Sequence, residues 1–141
     1  MKVYLSGPMR NRPQYNFNAF ERATQLLRDQ GWEVVSPHEM DLEGGHVTVA
    51  YHYAPEGKTF THVELNADFD MDEALGRDLV AVGQCEGVVC LPDWEESEGA
   101  RIEVQRAAEL GLELFVLAHR GQVTPIPYPL WVVDPESEEV A

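Results

Sequence analysis

The segment from Gly87 to Leu110 constrains the fold more than any other part of the chain. A short apolar run, Gly87 to Leu91, leads into a polar loop at Pro92 and then into a helical pattern that begins at Ser97. Ser97 suits the N-cap of that helix, and Glu103 lies in its second turn. A buried strand, a loop and a helix form the repeating unit of α/β proteins, whose ligands bind at the carboxyl ends of the strands. The segment therefore predicts an α/β fold with a carboxylate beside the ligand crevice.

The rest of the chain repeats this alternation. Strands are predicted at Lys2 to Ser6, Trp32 to Ser36, Gly87 to Leu91 and Leu112 to Leu117, and a last short strand is predicted at Leu130 to Val133. Helices are predicted from an N-cap at Asn16 to Gly31, from Met71 to Gln84, and from Ser97 to Leu110. The pattern predicts a parallel sheet with helices on both faces, in a single domain over residues 1–134 followed by an acidic tail at 135–141.

Residues 40–70 do not fit the alternation, because a plain crossover needs fewer residues. His46 to Tyr53 and Lys58 to Leu65 both have extended patterns, and Ala54-Pro-Glu-Gly57 can turn between them. A structureless loop of this length is uncommon in a compact domain. We therefore predict a β-hairpin insert at about residues 46–65, placed to act as a flap over the crevice.

Charge and composition exclude several classes of partner. The 141 residues carry a net charge of −15 with only ten Lys and Arg, so a nucleic acid polymer, which is bound through cationic side chains, is not expected. No stretch approaches the roughly 18 apolar residues of a membrane span, and the N-terminus lacks a signal-peptide pattern. Neither the two cysteines nor the five histidines have metal-ligand spacing. We expect a cytoplasmic protein that binds no metal and no membrane.

The turn after the first strand supplies further candidates for ligand binding. Tyr4 and Ser6 lie in a strand that is usually central in such sheets, and the loop after it borders the crevice. Gly7 permits close backbone approach, while Arg10 and Arg12 are among the few cations of the chain. The loop could therefore hold an anion, although solvated arginines on an ordinary surface loop are the alternative.

Two aspartates are further candidates, and the position of Asp93 after a strand places it near the carboxyl edge of the sheet. Asp93 directly follows the strand that ends at Leu91, and Asp78 belongs to the preceding helix. For Asp78 the alternative is a solvated helical aspartate that pairs with Arg77 or another neighbour. A helical glutamate such as Glu103 also usually faces solvent. The motifs taken together therefore have to distinguish a site residue from a surface residue.

This combination of motifs resembles the nucleoside 2-deoxyribosyltransferase superfamily, which includes 2'-deoxynucleoside 5'-phosphate N-hydrolases and short phage-encoded relatives. The resemblance is carried by three motifs: Tyr4-Leu-Ser-Gly-Pro-Met, Arg77-Asp78-Leu79 and Pro92-Asp-Trp-Glu-Glu-Ser-Glu-Gly-Ala-Arg-Ile-Glu103. It implies a flavodoxin-like fold and cleavage of the N-glycosidic bond of a 2'-deoxynucleoside or its 5'-monophosphate, without a cofactor. The acceptor is left open between water, as in an N-hydrolase, and a second base, as in a transferase.

The resemblance also implies roles for the matching positions. Glu103 matches the family nucleophile, Tyr4 the tyrosine that holds it, and Asp78 an aspartate near the sugar and the base. Arg10 and Ser97 match positions that bind the 5'-phosphate in the N-hydrolase branch, and Asp93 matches a carboxylate that contacts the base in the transferase branch. Ser6, Gly7 and Gly99 border the crevice and are also expected to bind substrate.

Three features depart from the family pattern. Pro8 stands where the phosphate-binding branch often has a serine, and the hairpin insert is longer than a simple family loop. Acidic residues surround the expected phosphate site: Asp93, Glu95, Glu96 and Glu98.

Two alternative functions stay open, namely a nucleotide-binding module without catalysis and an N-glycosidase for a ribonucleotide or dinucleotide. The resemblance further implies a homodimer or larger homo-oligomer, with Tyr128, Leu130 and Trp131 as contact candidates unless they pack the last strand onto the core.

Overall fold

The computed structural model describes residues 1–126, and these form an α/β fold. The strands are β1 (Lys2–Ser6), β2 (Glu33–Val35), β3 (Val47–Ala54), β4 (Gly57–Leu65), β5 (Gly87–Cys90), β6 (Glu113–Leu117) and β7 (Val123–Pro125). The helices are α1 (Phe17–Asp29), α2 (Pro37–Glu43), α3 (Met71–Gly83) and α4 (Glu98–Glu109), with 3-10 turns at Pro13–Asn16 and Trp94–Glu96. The predicted strand at Leu130 to Val133, the acidic tail and the contact candidates Tyr128, Leu130 and Trp131 lie outside the described residues.

The main sheet has the strand order β2-β1-β5-β6-β7, in which β7 alone is antiparallel to its neighbour. The chain winds outward from β1 in one direction to β2 and in the other to β5 and β6. The strand order therefore reverses between β1 and β5, and in open α/β sheets ligands bind at such a switch point. The predicted fold class is confirmed.

The two faces of the sheet carry separate parts of the core, because successive strand residues point to opposite sides. Val3 and Leu5 of β1 pack with buried residues of α1 such as Phe20. Tyr4 lies on the other face, where it packs with residues of α3 and α4 such as Val82 and Val104. Helices thus cover both faces, as the sequence predicts. Val3 and Leu5 of β1 point toward α1, and Tyr4 points toward α3 and α4.

The predicted hairpin is present as the antiparallel pair β3–β4. It is fastened to α1 by Asn18, whose side chain donates to the carbonyl of Phe60 at 2.9 Å and accepts from its N–H at 2.6 Å. The Phe60 ring packs edge-on against Phe17 of α1. The strands therefore lie against α1, and of residues 47–65 only Leu65 lines the cavity described below.

Helix α2 and strand β7 were not predicted. Helix α2 has only seven residues and starts with Pro37 at its first position, where proline is favoured, and β7 is a three-residue edge strand. Helix α1 does begin after Asn16, but that side chain donates to Pro8 O at 2.7 Å and makes no capping hydrogen bond. Within residues 1–126, no helix is long and apolar enough to span a bilayer, and no cluster of His, Cys, Asp and Glu could hold a metal ion.

Candidate active site

A cavity of about 590 Å³ opens at the carboxyl ends of β1 and β5. Its walls come from the loop after β1, from α2, from the start of α3 and from the first turns of α4. Its polar and glycine lining includes Gly7, Arg10, Arg12, Asp41, Arg77, Asp78, Glu96, Ser97, Glu98, Gly99 and Glu103.

Glu103 is fixed in this cavity by two hydroxyl groups from the central strand. The Tyr4 hydroxyl donates to Glu103 Oε2 at 2.8 Å, and the Ser6 hydroxyl donates to Oε1 at 2.7 Å. Tyr4 and Ser6 are two residues apart in β1, so they face the same side of the sheet, toward α4. All three side chains are buried. Each oxygen of the carboxyl group therefore has its own donor, which fixes its orientation and favours its ionised form.

The surroundings of Glu103 nevertheless favour its protonated form. Burial, followed by the negative charge of Asp78, raises the pKa of Glu103 to about 8, and the hydrogen bonds from Ser6 and Tyr4 act in the opposite direction. Burial, followed by the Glu103 carboxylate, raises the pKa of Tyr4 well above its usual value. Tyr4 therefore stays a neutral phenol and a donor to Glu103 throughout the neutral range.

Asp78 is the second carboxyl group of the site. It lies on α3, is buried, and lies close enough to Glu103 for a hydrogen bond when one of the two carboxyl groups holds a proton. Burial raises the pKa of Asp78, which the neighbouring Arg77 opposes. Two buried carboxyl groups in contact cannot both ionise easily. Near neutral pH the Asp78–Glu103 pair therefore retains a proton.

Arg77 links this pair to a third carboxyl group. Its Nε and Nη2 donate to Asp78 Oδ1 at 3.0 and 2.8 Å, and its Nη1 donates to Asp41 Oδ1 at 2.8 Å. Asp41 lies on α2 and is buried, and burial raises the pKa of its carboxyl group while Arg77 opposes the shift. No sequence pattern marks Asp41, because it lies in a helix too short to show a helical period. Arg77 is marked only as the first residue of the Arg77-Asp78-Leu79 motif and as a neighbour of Asp78.

The other end of the cavity carries the residues expected to bind an anion. Arg10 is exposed, and Arg12 lies 4.0 Å from Glu96. Ser97 is the N-cap of α4, where its hydroxyl accepts from Ala100 N–H at 3.2 Å, and Gly99 lies in the first turn. Backbone N–H groups at such a helix start favour anions. Glu96 and Glu98 line the same region and oppose an anion there.

Gly7 and Asp93 have surroundings that differ from the expectation. A Cβ on Gly7 would lie 2.8 Å from Leu91 Cβ, so the close approach that this glycine permits is to the neighbouring strand end, although Gly7 also lines the cavity. Asp93 has a left-handed backbone with φ of 67° and is exposed. It is not among the residues that line the cavity, so the structure does not bring it together with Glu103.

Comparisons with known proteins agree with this architecture. The family model described as "Domain of unknown function (DUF4406)" matches residues 1–116, while none of the curated proteins matches the chain. Among the solved structures that match is a 2-deoxyribosyltransferase from the psychrotolerant bacterium Bacillus psychrosaccharolyticus, described as a biocatalyst for the synthesis of nucleosides. It is 20% identical, the match covers 82% of this chain and 71% of that one, and the TM-score is 0.54. The likeness shows a shared fold and confirms the fold that the motifs imply.

Proposed function

The chain belongs to the DUF4406 family, and we propose that it cleaves the N-glycosidic bond of a 2'-deoxynucleoside or its 5'-monophosphate, with Glu103 as nucleophile. One observation carries the proposal. The Glu103 carboxyl group lines a cavity, is held by Tyr4 and Ser6, and contacts a second carboxyl group, Asp78. A fixed carboxylate beside a proton-bearing acid is the pair that glycosidic cleavage needs.

The first step uses the proton that the pair retains. It passes from Glu103 to Asp78 through their hydrogen bond, which leaves Glu103 as a carboxylate stabilised by the Tyr4 and Ser6 hydroxyl groups. An oxygen of Glu103 attacks the anomeric carbon as the bond from that carbon to the base nitrogen breaks. The bonding electron pair leaves with the base, and Asp78 gives the base its proton. The products are a glycosyl ester on Glu103, a free base and an ionised Asp78.

The second step returns the site to its starting state. In hydrolysis, Asp78 removes a proton from water, the water oxygen attacks the anomeric carbon, and the ester bond to Glu103 breaks. In transfer, the nitrogen of a second base takes the place of the water and gives Asp78 its proton. Both routes use the same residues, so the choice depends on whether water or a base occupies the cavity when the ester has formed. The likeness to a deoxyribosyltransferase supports nucleosides as the substrate class.

The decisive experiment is chromatography of deoxynucleosides and deoxynucleoside monophosphates incubated with the protein, with and without a second free base. We expect base release by the wild type and a loss of at least about 10³-fold in Glu103→Gln. Glu109→Gln is the matched control, because it removes an exposed carboxyl group from the same helix. A new nucleoside that forms only with added base identifies a transferase. Retention of unchanged nucleotide without base release would identify a binding module instead and refute the proposal.

A further inference from the structure

A continuous line of contacts joins α2 to the nucleophile: Asp41 to Arg77, Arg77 to Asp78, and Asp78 to Glu103. We propose that Asp41 is a positioning residue that acts through Arg77 to orient Asp78 and to keep it able to carry the proton for the leaving base. This inference rests on the proposed function and assigns a role to a residue outside the three sequence motifs.

The geometry of Arg77 explains the orientation. The guanidinium group is planar and rigid, so its donors cannot turn independently. Nε and Nη2 both donate to the Oδ1 atom of Asp78, which leaves Oδ2 outside this contact. Nη1 donates to Asp41 on a different helix. Anchoring at Asp41 therefore fixes the plane of the guanidinium group and, through it, the rotation of the Asp78 carboxyl group.

The charge of Asp41 also contributes to the protonation of Asp78. A cation that donates two hydrogen bonds to Asp78 on its own would hold that group as a carboxylate, which is a poor proton donor. Burial is the main cause of the raised pKa of Asp78, and the negative charge of Asp41 adds a smaller rise that partly offsets the lowering by Arg77. The titratable groups that act on Asp78 come from every element around it: Arg77 on α3, Asp41 on α2, Glu103 on α4 and Tyr4 on β1. Asp41 in turn faces Arg77, His38 and His46.

The variant Asp41→Asn tests the inference, since it keeps the shape of the side chain and removes its charge. The Asp78–Glu103 pair titrates as a unit, so the limb on which kcat falls with rising pH should move to lower pH by about 0.5 to 1 unit. We expect kcat near neutral pH to fall about tenfold, with KM changed less than about twofold. Glu39→Gln is the matched control, because it removes a charge from the same helix at a surface pair with Arg28. Its pH profile should superimpose on the wild type.

A second measurement does not depend on turnover. Side-chain carboxyl groups labelled with carbon-13 are titrated by NMR in the wild type and in Asp41→Asn, with Asp78→Asn used to assign the Asp78 signal. The pKa of Asp78 should fall in Asp41→Asn. If no nucleotide releases base, the proposed function fails while this titration still decides the electrostatic link. An unchanged Asp78 titration, or a variant that is less stable but keeps the wild-type pH profile, would overturn the inference.

Arg77→Lys provides the same test if Asp41→Asn does not fold. Lysine keeps the positive charge but cannot donate in one plane to both carboxyl groups. We expect kcat to fall about tenfold with a smaller change in KM. A wild-type kcat together with a wild-type titration of Asp78 would show that the link between α2 and Asp78 has no positioning role.

Discussion

The hydroxyl of Tyr4 lies 2.8 Å from Glu103 Oε2 and joins the central strand to α4 across 99 residues of chain. Both groups are buried, and the phenol stays neutral because the pKa of Tyr4 is raised by burial and by the charge of Glu103. The hydrogen bond lowers the pKa of Glu103 against the larger effects of burial and Asp78. Tyr4 therefore stabilises the carboxylate form that the proposed reaction requires.

Tyr4→Phe should reduce kcat/KM for base release by roughly 10- to 100-fold, because it removes a donor to a buried anion and keeps the aromatic ring in the core. Loss of that donor raises the pKa of Glu103, so the limb on which activity falls at high pH should move to higher pH. Rates measured from pH 5 to 10 check both effects. Tyr53→Phe, at an exposed position on β3, is the control. Identical profiles for Tyr4→Phe and the wild type would contradict a role for this hydrogen bond.

The raised pKa of Glu103 also predicts how stability depends on pH. The native protein holds a proton at Glu103 up to about pH 8, whereas the unfolded chain releases it near 4.5. The favourable contribution of the protonated group is complete below pH 4.5 and is lost as the pH rises to 8, because the native state binds more protons in that window.

Glutamine has no proton to lose in this range. The free energy of unfolding of Glu103→Gln, relative to that of the wild type, should therefore be higher at pH 8.5 than at pH 5. The gain should be about 1 to 4 kcal/mol, at 1.36 kcal/mol per unit of pKa shift. Urea unfolding at the two pH values measures it, and Glu109→Gln accounts for the removal of one carboxyl group from the same helix. A difference between Glu103→Gln and wild type that stays constant with pH would mean that Glu103 is ionised in the folded protein.

The sequence predicts the central elements well because the strands are short apolar runs next to glycine or proline, and the helices repeat apolar residues at helical spacing. The strands β1 and β5 and the helices α1, α3 and α4 all fall within one or two residues of their predicted limits. The hairpin is predicted for a similar reason, from two extended patterns around a turn. Helix α2 is too short to show a helical period, so the sequence predicts no element between the strand that ends at Ser36 and the hairpin.

The site is predicted less completely, because its contacts are tertiary. The alternation of β1 explains why Tyr4 and Ser6 share a face, but their contact with Glu103 depends on where α4 packs. The ion pair between Asp41 and Arg77 joins two helices through residues that are 36 positions apart in sequence, and it leaves no local signal. Asp93 illustrates the opposite case. Its place after a strand predicts a side chain at the crevice, but its left-handed backbone accompanies an exposed side chain outside the cavity.

Arg10→Ala tests whether a 5'-phosphate is bound beside Ser97. We expect kcat/KM for a deoxynucleoside monophosphate to fall about tenfold or more, since a charge-assisted contact is lost, while the value for the free nucleoside changes little. Steady-state rates for both substrates at low and high salt measure the effect. Arg22→Ala, at an exposed position on α1, controls for the loss of one positive charge. Equal losses for nucleoside and monophosphate would exclude Arg10 as a phosphate ligand.

The attachment of the hairpin depends on Asn18, which satisfies both backbone groups of the buried residue Phe60. Asn18→Ala leaves an N–H and a carbonyl without partners, so we expect a loss of about 2 to 3 kcal/mol in the free energy of unfolding. Asn18→Asp is the matched variant: it keeps the acceptor for the Phe60 N–H but sets a carboxylate oxygen against the Phe60 carbonyl, so it should also destabilise the protein while retaining one of the two hydrogen bonds. Urea unfolding gives both values, and hydrogen exchange at the Phe60 amide shows whether the hairpin opens first. If Asn18→Ala unfolded like the wild type and its Phe60 amide stayed protected, the contacts of Phe60 with Phe17, and not Asn18, would hold the hairpin on α1.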